Sequence, residues 1–450
     1  MKLVIVGGGG FRVPLIHRAL LRAGADQPIT QVELLDTDPA RLHAMRRVLA
    51  QLGGPGSGPA PVVHAGTDAV TALTGADFVF CAIRVGGLAG RVADERVAIA
   101  HGVLGQETVG AGGIAFGLRT IPVAVSLAQA IRRVAPQAWV INFTNPAGMI
   151  TEAMGPVLGE RVIGICDSPL GLARRVARVL GTPLSGYAID YAGLNHLGWL
   201  QGLRGSDGDV LPRFLADDAA VLATEEGQIF GVDWLRAQGV VPNEYLHYYV
   251  SHGHALAEQR AAGHQTRGEF LARQQGAFFD GVAQAPGSAL SQWESVLAQR
   301  NATYLAAARG PGAERHTDDV DSGGYEGVAL ELMLALAGGE AEQLILNIPA
   351  GARLGLPPDA VVELPCRVRA GVIEPLPTRS LRPEHLSLVH QVKAVERLTI
   401  EATRTGSAAA AESAFALHPL IDSALTARAL LRDYRAAIPQ VDAVFAPTAR

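Results

Sequence analysis

Through its first half the chain alternates short β-branched runs with longer stretches of helical periodicity, the pattern of a parallel sheet wrapped by helices. The runs fall at residues 3–6, 32–35, 77–83, 138–143 and 162–166, each followed by Gly, Asp, Asn or Pro. Ligands of such sheets sit beyond the carboxyl ends of the strands, so the polar residues closing each run are the first places to look for chemistry. Past residue 181 the texture changes. A mixed segment reaches residue 200 and helical patterns dominate to about residue 308. Strand-like runs return at 343–347, 360–364 and 366–371, before helices at 384–405 and 417–437. Residues 203–212 and 310–324 read as loops. The expectation is an α/β domain with a mostly parallel sheet over residues 1–166 and a second, mixed α+β and largely helical lobe over residues 167–450, interlocked around a site between them.

The chain has 450 residues, 48% hydrophobic and 18% charged, enough to bury a large core and too apolar for disorder. A formal net charge of -5 leaves no basic footprint, so nucleic acid is not an expected partner, although local arginines can still bind a small anion. Cys81, Cys166 and Cys366 are too few and too scattered for a disulfide framework, which predicts a reducing compartment, the cytoplasm. Met1 leads into a strand-like run without a charged leader region, and no apolar run reaches about 18 residues, so neither secretion nor a membrane span is expected.

Gly7, Gly8, Gly9 and Gly10 directly follow the first strand and open a helix near Pro14, where backbone amides can approach a pyrophosphate at a helix N-terminus. Phe11 and Arg12 complete this turn. Neither register of the Gly-x-Gly-x-x-Gly fingerprint finds its third glycine, because Arg12 or Val13 stands there. A tight turn is the plain alternative. Asp36, closing the second strand, strengthens the nucleotide reading. A carboxylate there accepts hydrogen bonds from an adenosine ribose and repels a 2′-phosphate, which favours NAD over NADP.

Cys166 ends a buried-looking strand, and His196 lies thirty positions on; a thiolate and an imidazole can share a divalent ion, but each is also an ordinary core residue. Between the third and fourth of the strand-like runs lies a polar, glycine-rich stretch read as loop. It holds Arg84, Arg91, Asp94, Glu95, Gln106, Glu107 and Thr108, and Asn142 and Asn145 follow at the next strand end. Loops this polar at strand ends carry binding and catalysis. For Asp94 and Glu95 a structural role is weighed equally with function; for Arg91, Glu107 and Asn145 function is favoured.

The motifs GGGGFR, LLDTDP, RVGG, GQETVG, GLRTIPV, NFTNPA, GICDSP, GLNHLGW, VPNEYLHYY, HQTRGE and HPLI, in this order over nearly the whole chain, resemble glycoside hydrolase family 4, the NAD- and divalent-metal-dependent glycosidases. The resemblance implies a Rossmann-type domain with a second lobe, as in lactate and malate dehydrogenases, and a homodimer or homotetramer. Position by position, Cys166 and His196 resemble ligands of a divalent metal, usually manganese. Asp167 matches a position held in some members by a general acid, and Tyr245 resembles the catalytic base, with Tyr248 and Tyr249 close by. Glu107 matches a residue that raises the basicity of that tyrosine. Arg91, Asn145 and Arg267 resemble substrate contacts, some of them to a sugar phosphate. The Cys-Asp-x-Pro segment resembles 6-phospho-α-glucosidases, whereas the glycine-rich opening and the Asn-His-Leu-Gly-Trp segment resemble the β-type enzymes, toward which the reading leans.

Such chemistry explains the residue types. The hydrogen on sugar C2 is far too weak an acid for a tyrosine until C3 is a ketone. NAD provides that oxidation and a divalent ion stabilises the enediolate, after which elimination at C1, water addition and re-reduction complete a hydrolysis with no net NADH. Tyrosine, with an ordinary pKa of about 10, needs a nearby cation to serve as the base. Two rivals stay open: a 2-hydroxyacid dehydrogenase using His196 as its acid-base group, and a non-catalytic NAD sensor. Neither gives Cys166 or Tyr245 a role.

Overall fold

The computed structural model describes residues 1–24, 27–52, 60–261, 263, 265–303 and 324–446. Six parallel strands build the first half: β1 (Lys2–Val6), β2 (Gln31–Leu35), β3 (Val62–Gly66), β4 (Phe78–Cys81), β5 (Trp139–Asn142) and β6 (Val162–Ile165). They pair in the order β3-β2-β1-β4-β5-β6. This is the doubly wound order of dinucleotide-binding sheets, with its crevice where the chain reverses direction between β1 and β4. Strand β3 escapes a search for apolar runs. It is the edge strand, and its Val-Val-His-Ala-Gly sequence is exposed or half-buried throughout.

The sheet does not stop at β6. It continues through β11 (Glu342–Pro349), β12 (Val361–Arg369), β7 (Ala188–Leu194), β8 (Leu197–Gly205) and β10 (Val241–Pro242), each antiparallel to its neighbour. The short β9 (Gly208–Asp209) and β13 (Val372–Pro375) pair off this path with β8 and β12. A late segment of chain is thus inserted between β6 and β7, which carries the two halves on one backbone ladder.

Several sequence expectations are corrected here. The loop expected at 203–212 is the tail of β8 and its hairpin into β9; Gly202, Gly205 and Gly208 had mimicked a loop. The runs at 360–364 and 366–371 form one strand because Pro365 occupies a ladder position opposite Ile345 without ending it. The helix expected at 417–437 begins only at Ala424 and runs to Ala437; residues 418–423 are not helical, and a separate helix, Ala408–Leu417, precedes them. Residues 304–308, expected as helix, and residues 310–323, expected as loop, lie outside the described residues.

Helices α1 (Val13–Ala23), α2 (Pro39–Leu52) and α3 (Ala69–Leu73) belong to the parallel half, as do α4 (Gly87–Ala100), α5 (Gly110–Val134) and α6 (Ala147–Leu158). Helix α7 (Ser168–Val179) starts directly behind the Cys166 turn. In α1, Pro14 in the first turn and buried Val13, Ile16 and Leu20 on one face explain both its start and its docking on the sheet. Helix α4 corrects the polar-loop expectation: Arg91, Asp94 and Glu95 are helical, and all three are buried.

Helix α5 runs 25 residues and contains an 18-residue window of mean hydropathy 1.6, long and apolar enough by length and composition to cross a membrane, although no apolar run of that length was expected from the sequence. Its position explains the composition. Most of its first three turns are buried, and a Cβ at Gly117 would stand 2.5 Å from Met149 Sδ of α6, so the two helices approach closely there. Arg119, inside this apolar helix, is fully buried and forks onto Asp94 of α4 with contacts of 2.6 and 2.7 Å. Burial pushes the Asp94 carboxyl up, to about 7, against the pull of Arg119, and the two-pronged contact argues for the ionised pair. Arg119→Met strands the Asp94 carboxylate and is expected to cost about 3–5 kcal/mol, read from the urea midpoint. Pairing it with Asp94→Leu should recover much of that loss; no recovery would mean that the pair is not the origin of the effect.

Candidate active site

The turn after β1 is fixed by hydrogen bonds to β2: the amides of Gly7 and Gly8 donate to the Leu35 carbonyl at 2.9 and 2.8 Å. Gly7 adopts φ +91°, and a Cβ there would stand 2.5 Å from the Ala82 carbonyl oxygen, so glycine is required on both counts. Gly9 N–H donates to Asp36 Oδ2 at 2.9 Å, which ties the loop to the residue that closes β2. Gly7, Gly10, Phe11, Arg12 and Asp36 all border one cavity of about 1730 Å³. The Phe11 ring packs edge-on to Phe278 at 5.3 Å and beside Trp293 at 6.1 Å. The Arg12 guanidinium lies over the Tyr325 ring at 5.0 Å.

The same cavity is bordered by Cys166, Asp167, His196 and Tyr245, which the sheet gathers from distant parts of the chain. Cys166 and Asp167 follow β6 at its carboxyl end, and His196 occupies the tight turn from β7 to β8 at φ +63°. The Tyr245 ring stacks on His196, centroids 3.6 Å apart and planes within 4°. Burial lowers the His196 pKa to about 4, against the opposing charges of Asp167 and Glu107, so the ring is neutral. Burial raises the Cys166 thiol well above its ordinary value, helped by Asp167 and Glu363. Its Sγ lies 4.0 Å from Asp167 Oδ1.

The three tyrosines separate. Tyr248 borders the cavity, but burial pushes its pKa up to about 12 despite Arg91. Tyr249 packs against the core and faces His418 at 6.1 Å; burial raises its pKa further.

Glu107 spends one oxygen on Arg84, at 2.6 Å, and the other on Arg91, at 2.7 Å. Burial pushes its pKa up, but the two guanidiniums outweigh this and hold it at about 2. Arg91 is clamped between Glu107 and Glu95, whose other oxygen accepts from Gly268 N–H at 2.7 Å. Arg267 donates to Thr303 Oγ1 and to the Arg300 carbonyl. Arg300, on the helix Ala289–Ala302, also borders the cavity. Its pKa is held well below the ordinary value, first by burial and then by the like charges of Arg12, Arg267 and Arg91, with Glu107 opposing. No described carboxylate pairs with it. A buried guanidinium crowded by three like charges favours an anionic ligand beside it.

The family 4 glycosyl hydrolase model matches residues 2–182, and the model for the C-terminal domain of that family matches residues 191–421. The chain belongs to family 4 of the glycosyl hydrolases. It is 28% identical to the probable 6-phospho-beta-glucosidase of Bacillus subtilis (strain 168), with 98% of each chain covered. It is 30% identical to the 6-phospho-alpha-glucosidase of Leptotrichia buccalis, with 96% of each covered. Its fold matches the 6-phospho-beta glucosidase of Thermotoga maritima, solved with manganese, NAD+ and glucose-6-phosphate, at a TM-score of 0.81 and 26% identity, covering 98% of this chain and 99% of that one.

For a family 4 chain the donor set is the first question. Among the described residues no three His, Cys, Asp or Glu side chains gather closely enough to hold an ion unaided. An ion held by Cys166 and His196 would take its remaining positions from water and substrate oxygens, as in an open site. The chemistry of the donors agrees: His196 is neutral, and the buried Asn145 Oδ1 has no hydrogen-bond partner.

Sequence reasoning missed several residues that shape this family 4 site. Arg300 lies in a polar helical stretch and carries no local signal. Glu363 did carry one, as a charge within the apolar run of β12. It is fully buried and accepts from Tyr191 at 3.0 Å, Asn347 at 3.0 Å and Asn195 at 3.4 Å. Asn195 in turn accepts from Ala147 N–H at 3.1 Å, which braces the turn that presents His196. Glu244, whose pKa burial raises to about 8 against Arg175, joins the Asp167 and Tyr245 loops through a bond from Ser168 Oγ at 2.5 Å.

Proposed function

We propose that this chain is an NAD- and divalent-metal-dependent glycosidase that hydrolyses 6-phosphoglucosides, with the β anomer favoured. The observation that carries the reading is the meeting in one cavity of the Tyr245–His196 stack, Cys166 and the Gly7 turn with Arg300, whose guanidinium is crowded by the like charges of Arg12, Arg91 and Arg267. When bound, NAD supplies reversible oxidation at the sugar C3, and the ion, manganese in this reading, supplies Lewis-acid stabilisation of charge on the neighbouring oxygens.

The protein residues divide the remaining work. Cys166 Sγ and His196 hold the ion. Tyr245 takes the proton from C2, and Asp167 hands a proton to the departing glycosidic oxygen. Glu107 keeps Arg84 and Arg91 in place and tempers their charge beside the tyrosine. Arg91, Arg267, Arg300 and Asn145 bind the phosphorylated sugar, and the turn from Gly7 to Arg12, with Asp36, holds the nucleotide. Residues 1–166 thus serve chiefly the nucleotide, and residues 167–450 the substrate, the metal and assembly into a homodimer or homotetramer in the cytoplasm. The β preference rests on the Asn-His-Leu-Gly-Trp segment and the glycine-rich opening, against the Cys-Asp-x-Pro segment.

The test offers nitrophenyl 6-phospho-β- and 6-phospho-α-glucosides with NAD, manganese and a thiol reductant. Nitrophenol release without accumulation of NADH, faster on the β anomer, is the expected result. Faster release from the α anomer reverses the anomer assignment, and no release together with NADH build-up on a 2-hydroxyacid replaces the reading with that of a dehydrogenase. In the same assay Arg300→Met is expected to raise KM for the phosphorylated substrate about 10–100-fold, the loss of one hydrogen bond to a charged group, while leaving kcat within a few-fold. An unchanged KM would remove Arg300 from the phosphate site.

A further inference from the structure

Three hydrogen bonds behind His196 determine which of its nitrogens is free. Gln106 Oε1 accepts the backbone N–H of Thr108 at 2.5 Å and of Val109 at 2.8 Å, and since backbone amides only donate, this atom is the carbonyl oxygen of the side chain. Thr108 Oγ1 lies 3.0 Å from the same oxygen, and the only proton available between them is the hydroxyl's own, so Thr108 donates to Gln106. With that proton committed, Oγ1 can only accept from His196 Nδ1, 3.0 Å away. Nδ1 therefore carries the hydrogen, and in a neutral imidazole Nε2 is left with a bare lone pair.

Resting on the reading of His196 as a metal ligand, we infer that Gln106 and Thr108 form a proton-ordering relay that holds His196 in the Nδ1–H form with Nε2 directed to the ion. Thr108 is a positioning residue and Gln106 its anchor. The ring is already held on its other sides by the Tyr245 stack and by the braced turn at φ +63°. The hydroxyl of Thr108 therefore governs where the proton sits more than where the ring sits. Hydrogen-bond partners of this kind behind a metal-binding histidine typically change metal affinity by about 10–100-fold. All three partners are buried, so water does not readily replace the missing acceptor.

The experiment compares wild type, Thr108→Val and Thr108→Ser, each with NAD bound. Free Mn2+ is measured by electron paramagnetic resonance during titration, and the melting temperature of each metal-free protein is recorded. In parallel, the 15N spectrum of metal-free protein labelled at histidine reports the tautomer of His196, assigned by the signals lost in His196→Gln. The expected result is an Nδ1–H ring in wild type and in Thr108→Ser, a shift toward Nε2–H in Thr108→Val, and Mn2+ affinity lowered about 10–100-fold in Thr108→Val alone, with melting temperatures alike. An Nε2–H ring in wild type overturns the relay. So does unchanged Mn2+ affinity in Thr108→Val, or equal losses in the Val and Ser variants. A wild-type Nδ1–H ring that binds no Mn2+ overturns the metal reading of His196, and with it the role of Thr108 toward the ion, while the ordering of the ring stands.

Discussion

Stripped of nicotinamide cofactor and assayed with manganese and reductant, the protein is expected to lose at least about 10⁴-fold of its glycosidase activity, and to regain it when NAD is added back. The size follows from the sugar rather than from the protein. No side chain bordering the cavity makes an unactivated C2 hydrogen acidic, and in the proposed mechanism Tyr245, Asp167, Cys166 and His196 all act on steps that come after that activation. The alternative route to glycoside cleavage uses two carboxylates facing the scissile bond. Here Glu107 is committed to Arg84 and Arg91, and Glu244 to Ser168, while Glu326, whose carboxyl burial and the charge of Asp167 push up, lies beside Asp167. Hydrolysis at the wild-type rate after complete removal of the cofactor, verified by mass spectrometry of the denatured protein, would end the proposed mechanism.

Tyr245→Phe is expected to lower kcat by about 10²–10⁴-fold, the contribution of a positioned general base, with little change in KM. Phenylalanine keeps the ring that stacks on His196 and loses only the hydroxyl, so the variant separates proton transfer from packing. Substrate carrying deuterium at C2 should exchange its label into water with wild type and retain it with the variant. Tyr248→Phe and Tyr249→Phe should stay within about tenfold of wild type, because the first is a much weaker acid and the second packs against the core. Washout at the wild-type rate in Tyr245→Phe would transfer the base to another group.

How much of this was legible beforehand follows the range of the interactions involved. Five of the six parallel strands announced themselves because β-branched runs closed by Gly, Asp or Asn are a local signature. The edge strand β3 did not, since its half-exposed residues need no apolar run. Arg91 and Glu107 stood out as paired charges near strand ends, yet the helix beneath Arg91 was read as loop because its glycines and charges outweighed its period in a short window.

The sequence by itself determined the glycine turn after β1 and the carboxylate that closes β2, because each depends on chemistry held within a few neighbouring positions. Only the tertiary structure decided that β11 and β12 insert beside β6, that Tyr245 lies on His196, and that Arg300 joins three other arginines around one cavity. The physical reason is that burial and the electrostatic field are sums over residues far apart in the chain. The state of a thiol, an imidazole or a guanidinium is fixed by what the sheet brings beside it, and that is written nowhere in its own neighbourhood.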